Sequence, residues 1–139
     1  MSLYTFPDST LKDLNKFRFA SARVDKPQAM ILEINKTDYS IQIADTDDDY
    51  PFSSSEELVE NLPDNTPRYI VLSHPIDKPD GRKSSVLAMI YYRPATSTQE
   101  ARMLYAGAVE LVRGKAGVSK FIEIDDEEEF ENLAELVQE

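Results

Sequence analysis

The chain has no cysteine, a single histidine and only four glycines, and none of its apolar runs approaches bilayer length. Each scarcity removes a class of function. Without cysteine there is no disulfide framework to gain from export, and the start, Met1-Ser2-Leu3-Tyr4-Thr5-Phe6, lacks the basic segment and apolar stretch of a secretory signal. The expected location is the cytoplasm, with diffusion into the nucleus. Glycines at 81, 107, 114 and 117 do not form a phosphate-cradling loop, so no nucleotide site and no cofactor are expected. His74 stands before Pro75 at the end of a predicted strand, with no Gly-x-Ser-x-Gly elbow, and reads as a strand-end residue bonded to a neighbouring turn. No catalytic residue is assigned and the chain is not expected to be an enzyme.

Positive charge is also scarce. Twenty-six acids against 15 bases give a net charge of −11, which repels phosphate backbones and anionic lipid unless the bases cluster tightly. Nucleic-acid and membrane roles are disfavoured, and a protein partner with basic patches is favoured.

The acids themselves offer two chemical readings. Asp45, Asp47, Asp49 and Glu56 fall at positions one, three, five and twelve of a calcium loop. That loop needs glycine at its sixth position, where Tyr50 stands with Pro51 next, and the segment before it reads as strand. Glu56 is better explained as the N3 acid of a helix capped by Ser53, and no metal site is assigned. A carboxylate pair of a small hydrolase could be drawn from so many acids, but their crowding into 45–49 and 125–131 favours solvated charge.

What is present fits one domain, residues 1–139, with 41% apolar and 29% charged residues and prolines spaced along the chain. A first helix is predicted from Ser9 or Thr10, with Asp13 as capping-box acid and Leu11, Leu14 and Phe17 at helical spacing. Residues 29–34 and the alternating Tyr39, Ile41 and Ile43 predict a hairpin about a turn at 35–38. A short helix runs to Leu62, before Pro63. Residues 69–72 and 86–92 are near-continuous apolar runs, expected of central strands covered on both faces, with a Pro79-Asp80-Gly81-Arg82 turn between them. Ser97 with Glu100 caps a long helix over 98–113, broken by Gly114 and Gly117. A strand at 118–124 and a final acidic helix, capped by Asp126 with Glu129, complete an α/β (α+β) fold with a mixed five-stranded sheet sandwiched by helices.

On the long helix, Ala101, Leu104, Tyr105, Ala108, Leu111 and Val112 share one face. Arg102, Met103, Ala106, Val109 and Arg113 tend toward the remainder. A cation, a flexible methionine and small residues are what a partner-facing helix uses.

Arg102-Met103-Leu104-Tyr105-Ala106 resembles the signature on the long helix of actin-depolymerising-factor homology (ADF-H) domains. With Lys16-Phe17-Arg18-Phe19, Pro67-Arg68-Tyr69-Ile70-Val71 and Asp80-Gly81-Arg82 in the same order along nearly the whole chain, it is similar to the glia maturation factor subfamily. The resemblance implies a monomer at cortical actin structures that binds the actin-related protein 2/3 complex, inhibits branched actin nucleation and promotes debranching. Weak binding to actin itself stays open, as does a cofilin- or twinfilin-like domain that binds actin directly. It further implies a first partner surface of Ser2, Leu3, Arg102, Met103, Ala106, Arg113, Asp126 and Glu127, and a second of Asp77, Lys78, Asp80, Arg82 and Lys83. Val109 stands where many actin-binding relatives carry lysine. Ser2, near the end where relatives are switched by phosphorylation, is a candidate site for added negative charge.

Overall fold

The computed structural model describes residues 3–138. Its centre is a five-stranded sheet built from β1 (Gln28–Ile34), β2 (Ile41–Ile43), β3 (Arg68–Asp77), β4 (Lys83–Tyr92) and β5 (Lys120–Ile124), in the spatial order β2-β1-β3-β4-β5. All neighbours are antiparallel except β4 and β5, which run parallel and are joined through the long helix α3 (Gln99–Ala116). The sheet is therefore mixed, as the sequence predicts.

Both faces of the sheet are covered, which is why the central runs are apolar at every position rather than alternately. Met30, Leu32, Tyr69, Val71, Met89 and Tyr91 point to one side, against α1 (Asp8–Ser21) and α3. Ile31, Ile70, Leu72, Ala88, Ile90 and Tyr92 point to the other, against α2 (Ser55–Glu60), a 3₁₀ turn (Glu127–Asn132) and α4 (Leu133–Leu136).

Several local expectations shift. Thr10 does not cap α1; its side chain is buried and Oγ1 donates to the Ile41 carbonyl over 2.8 Å, binding the helix to β2. Tyr39 lies in the turn with φ 57° instead of in the strand. Ser54, not Ser53, caps α2 by accepting from the Glu57 N–H over 3.2 Å, and Glu57 accepts in return from the Ser53 N–H over 3.1 Å. The acid in that box is thus Glu57, and Glu56 is exposed. The cap of α3 is Thr98, accepting from Ala101 N–H over 3.1 Å, while the Ser97 hydroxyl donates to the Pro94 carbonyl over 2.7 Å.

Two strand and helix ends also move. His74 is not at a strand end: β3 continues to Asp77, with His74 opposite Val86 and Pro75 opposite Ser85. Beyond Ser73 the strand has lost its β1 neighbour, so proline's missing N–H costs no ladder bond on that side. Gly114 does not break α3, which runs on to Ala116 and stops at Gly117, φ 63°. The Arg18 guanidinium closes that end by donating to the Ala116 carbonyl, in the space a Cβ on residue 117 would occupy.

Candidate docking surfaces

The long helix is held to the sheet by its tyrosine. Tyr105 is buried; its hydroxyl accepts from the Ile34 N–H over 3.0 Å and from the Arg68 guanidinium over 3.1 Å. The Tyr69 hydroxyl donates to the Tyr105 carbonyl. Burial pushes the Tyr105 hydroxyl above its usual pKa, so it remains neutral at any physiological pH. With Tyr105, Ala108 and Val112 facing inward, Arg102, Met103 and Ala106 are left on the solvent side, Met103 being 68% exposed.

The chain's first described residues join this strip. The Tyr4 hydroxyl donates to the Leu104 carbonyl over 2.7 Å and lies against Gly107, where any Cβ would collide with it. Thr5 forms a bridge to Ser40 beside β2, so the segment is fixed on both sides. Leu3, 61% exposed, is displayed next to this anchor. Ser2 lies outside the described residues.

A shallow cleft of about 350 Å³ extends the strip toward the sheet, lined by Arg102, Ala106, Ala95, Tyr91, Arg93 and Asp125. Arg102 donates to the Ala95 carbonyl over 2.9 Å, which directs the guanidinium along the cleft edge. Arg93 bridges Glu123 and Asp125, each at 2.9 Å, and its guanidinium lies 5.4 Å from the Tyr91 ring centre. Arg93 and Asp125 carry no motif; their pairing across 32 residues exists only once β4 and β5 lie side by side. Asp126 and Glu127 sit just beyond. Asp126 accepts from the Glu128 N–H over 3.0 Å, capping the 3₁₀ turn, and Glu127 accepts from the Tyr92 hydroxyl over 3.4 Å. Arg113 is about 16 Å along the same helix face from Arg102, 4.9 Å over the Phe121 ring.

The second candidate group occupies the far end of the β3–β4 hairpin, about 30 Å away along ten-residue strands. Asp77 pairs with Lys83, and the Lys78 N–H donates to the Arg82 carbonyl over 2.9 Å to close the turn. Asp80 holds the Arg82 side chain at 2.6 Å, and Lys83 reaches Asp25 at 3.1 Å, which raises the lysine pKa. All five residues are exposed, so these pairs shape the turn more than they stabilise the fold.

The 45–49 loop is organised by its own hydrogen bonds: the Thr46 hydroxyl donates to the Asp48 carbonyl over 2.7 Å, and Asn61 donates to the Asp48 carboxylate over 2.9 Å. Among the described residues, no three acidic or histidine side chains converge to hold a metal ion. No helix among them is long and apolar enough to cross a membrane.

The family model for cofilin/tropomyosin-type actin-binding proteins matches residues 4–137. The chain belongs to that family. Within it, the chain is 36% identical to Protein AIM7 of Saccharomyces cerevisiae, covering 99% of this chain and 97% of that protein. It is 32% identical to human glia maturation factor beta, covering 88% and 82% of the two chains. The solution structure of glia maturation factor from Caenorhabditis elegans superposes with a TM-score of 0.78 at 35% identity, over 96% of this chain and 94% of that one. These relatives place the chain in the glia maturation factor subfamily of the ADF-H family.

Family membership gives the geometry a division of labour. In the helix signature, Tyr105 and Gly107 serve the fold, one through the sheet and the other through Tyr4, while Arg102, Met103 and Ala106 are free to face outward. Val109 is half-buried and packs on the α1–α3 side of the core, so it lies at the margin of the exposed strip.

Proposed function

We propose that this chain regulates branched actin networks by docking onto the actin-related protein 2/3 complex, inhibiting branch nucleation and promoting debranching, without catalysis. The observation that carries the reading is the exposed Arg102–Met103–Ala106 strip beside Leu3, in a chain whose relatives include glia maturation factors along most of its length. A cation, a flexible thioether and a small residue on a rigid helix make a low-entropy wedge for a cleft in an actin-related subunit.

The hairpin tip at 77–83, about 30 Å from the strip, supplies the second contact. Two separated contacts let the domain favour one arrangement of a branch junction over another. A domain that binds the separated junction more tightly than the intact one shifts the equilibrium toward debranching with no covalent step. The site of action is cytoplasmic, at cortical actin, with the protein working as a monomer.

Binding of the purified branching complex and co-sedimentation with bare actin filaments test this directly. Arg102→Glu is expected to keep the fold and weaken complex binding by about 10- to 100-fold, as reversal of an interfacial charge does. Strong binding to bare filaments with none to the complex would overturn the reading in favour of a cofilin- or twinfilin-like domain.

A further inference from the structure

The bases of this acidic chain are not spread evenly. Residues 8–26 hold five bases against three acids, whereas the rest of the chain holds ten bases against 23 acids. Within that segment Arg18 is committed to the end of α3, and Asp25 is paired with Lys83. Asp8 sits in the first turn of α1, and Asp13 lines a groove on the flank of the helix. Lys12, Lys16, Arg23 and Lys26 are left exposed, and none of them forms an ion pair with a described residue.

Helical spacing brings Lys12, Lys16 and Phe19 into an arc of about 60° on the outer face of α1, with Arg23 just past the helix end. Phe19 is 72% exposed, the most exposed of the large apolar side chains among the described residues. The stripe thus alternates cation, cation, aromatic, cation over about 16 Å. It lies on neither surface invoked for branch binding.

We propose that this outer face of α1 is a third docking surface, which takes an acidic protein segment carrying an apolar side chain. The stripe's length matches about five residues of extended peptide, whose carboxylates would meet Lys12, Lys16 and Arg23 while its apolar side chain covers Phe19. A narrow peptide touches the stripe alone. A flat anionic membrane would also confront the acidic remainder of the molecule, and is disfavoured for that reason. The stripe borders an apolar groove of about 520 Å³ and shares Lys16 with it, while Asp13 lies on the groove side.

The test is fluorescence anisotropy of the full chain with a short labelled peptide of Asp and Glu around one central Leu. Because the probe contains no actin-related protein, the result stands apart from the branch-binding reading. Saturable binding is expected, weakened about tenfold or more by Lys16→Glu with Arg23→Glu and by raising NaCl from about 50 to about 300 mM. Phe19→Ser, and a peptide with Ser in place of Leu, should each lose binding several-fold, while Arg102→Glu leaves it unchanged. Thermal melts should show all variants folded, since every altered side chain is exposed. Absence of saturable binding at low salt, or binding indifferent to the charge reversals, overturns the proposal. So does a stripe-dependent preference for phosphatidylserine vesicles over the peptide, or a stripe-dependent self-association in sedimentation velocity.

Discussion

The Arg68 guanidinium donates to the Tyr105 hydroxyl over 3.1 Å, joining the start of β3 to the middle of the helix that displays Arg102. The same hydroxyl takes up the N–H of Ile34, which lies beyond the last β1–β3 pair, Leu32 with Tyr69. Tyr105→Phe removes both acceptor contacts at once without changing the shape of the ring. The buried Ile34 N–H is left without its acceptor, while Arg68 keeps the Pro67 carbonyl at 2.9 Å and Glu33 at 3.9 Å. The expected cost is therefore about 1–3 kcal/mol and comes mainly from Ile34. Urea unfolding should show a lower midpoint with an unchanged slope; an unchanged midpoint would mean that water replaces the hydroxyl at no cost.

The two glycines at the end of α3 should respond in opposite directions. Gly114 is exposed inside the helix, and a Cβ there meets nothing within 4 Å, so Gly114→Ala is expected to stabilise by roughly 0.5–1 kcal/mol. Gly117 has φ 63°, and a Cβ there would meet the Arg18 guanidinium. Alanine there should destabilise by at least about 1–2 kcal/mol, from the left-handed backbone alone. Thermal or urea unfolding of the two variants checks the contrast, and the same sign in both would refute it.

Those glycines also show how far the sequence could be read. A glycine that ends a helix and one that the helix passes through look alike in one dimension; what separates them is Arg18, which arrives from a different helix to close the end at 117. The caps of α2 and α3 are displaced by one residue for a similar reason. Ser53, Ser54 and Ser55, and then Ser97 and Thr98, offer equivalent hydroxyls in succession, and packing decides which one is used. The apolar runs at 69–72 and 86–92 needed no such help, because burial on both faces is written in every residue. Helical period likewise suffices to turn Arg102, Met103 and Ala106 outward. The Arg93–Asp125 pair was invisible, since nothing in the sequence brings the residues just past the ends of β4 and β5 together before the sheet exists.

Stability should fall on the alkaline side. Burial pushes Tyr92 up to about 12, with the Glu127 carboxylate beside it acting in the same direction. Burial likewise pushes Tyr50 up to about 12. In the unfolded chain both titrate near their ordinary value of about 10. Above that pH the unfolded state gives up protons that the folded state retains, so their contribution is full below about pH 10 and is lost as pH rises through about 12. Urea midpoints at a series of pH values from neutral upward should be flat and then decline. Tyr92→Phe should decline less steeply than the parent, and an identical profile would exclude Tyr92 as a source of the slope.

Tyr4 and Gly107 should prove energetically coupled. Alanine is the better helix former, so Gly107→Ala at an open position would gain roughly 1 kcal/mol. Here the new methyl collides with the Tyr4 ring and hydroxyl, breaking the bond to the Leu104 carbonyl and lifting the segment that carries Leu3. In the parent background the lost hydrogen bond and the displaced packing together should outweigh that helix gain, for a net destabilisation of about 1 kcal/mol. In a Tyr4→Ala background the obstacle is gone, and the same substitution should stabilise by roughly 0.5–1 kcal/mol. Urea unfolding of the four proteins closes the cycle, and a coupling of at least about 1 kcal/mol is expected. If Leu3 contributes to docking, Gly107→Ala should also weaken binding to the branching complex although Arg102 and Met103 are untouched. An equal effect of Gly107→Ala in both backgrounds would show that the N-terminal segment is not held by this contact.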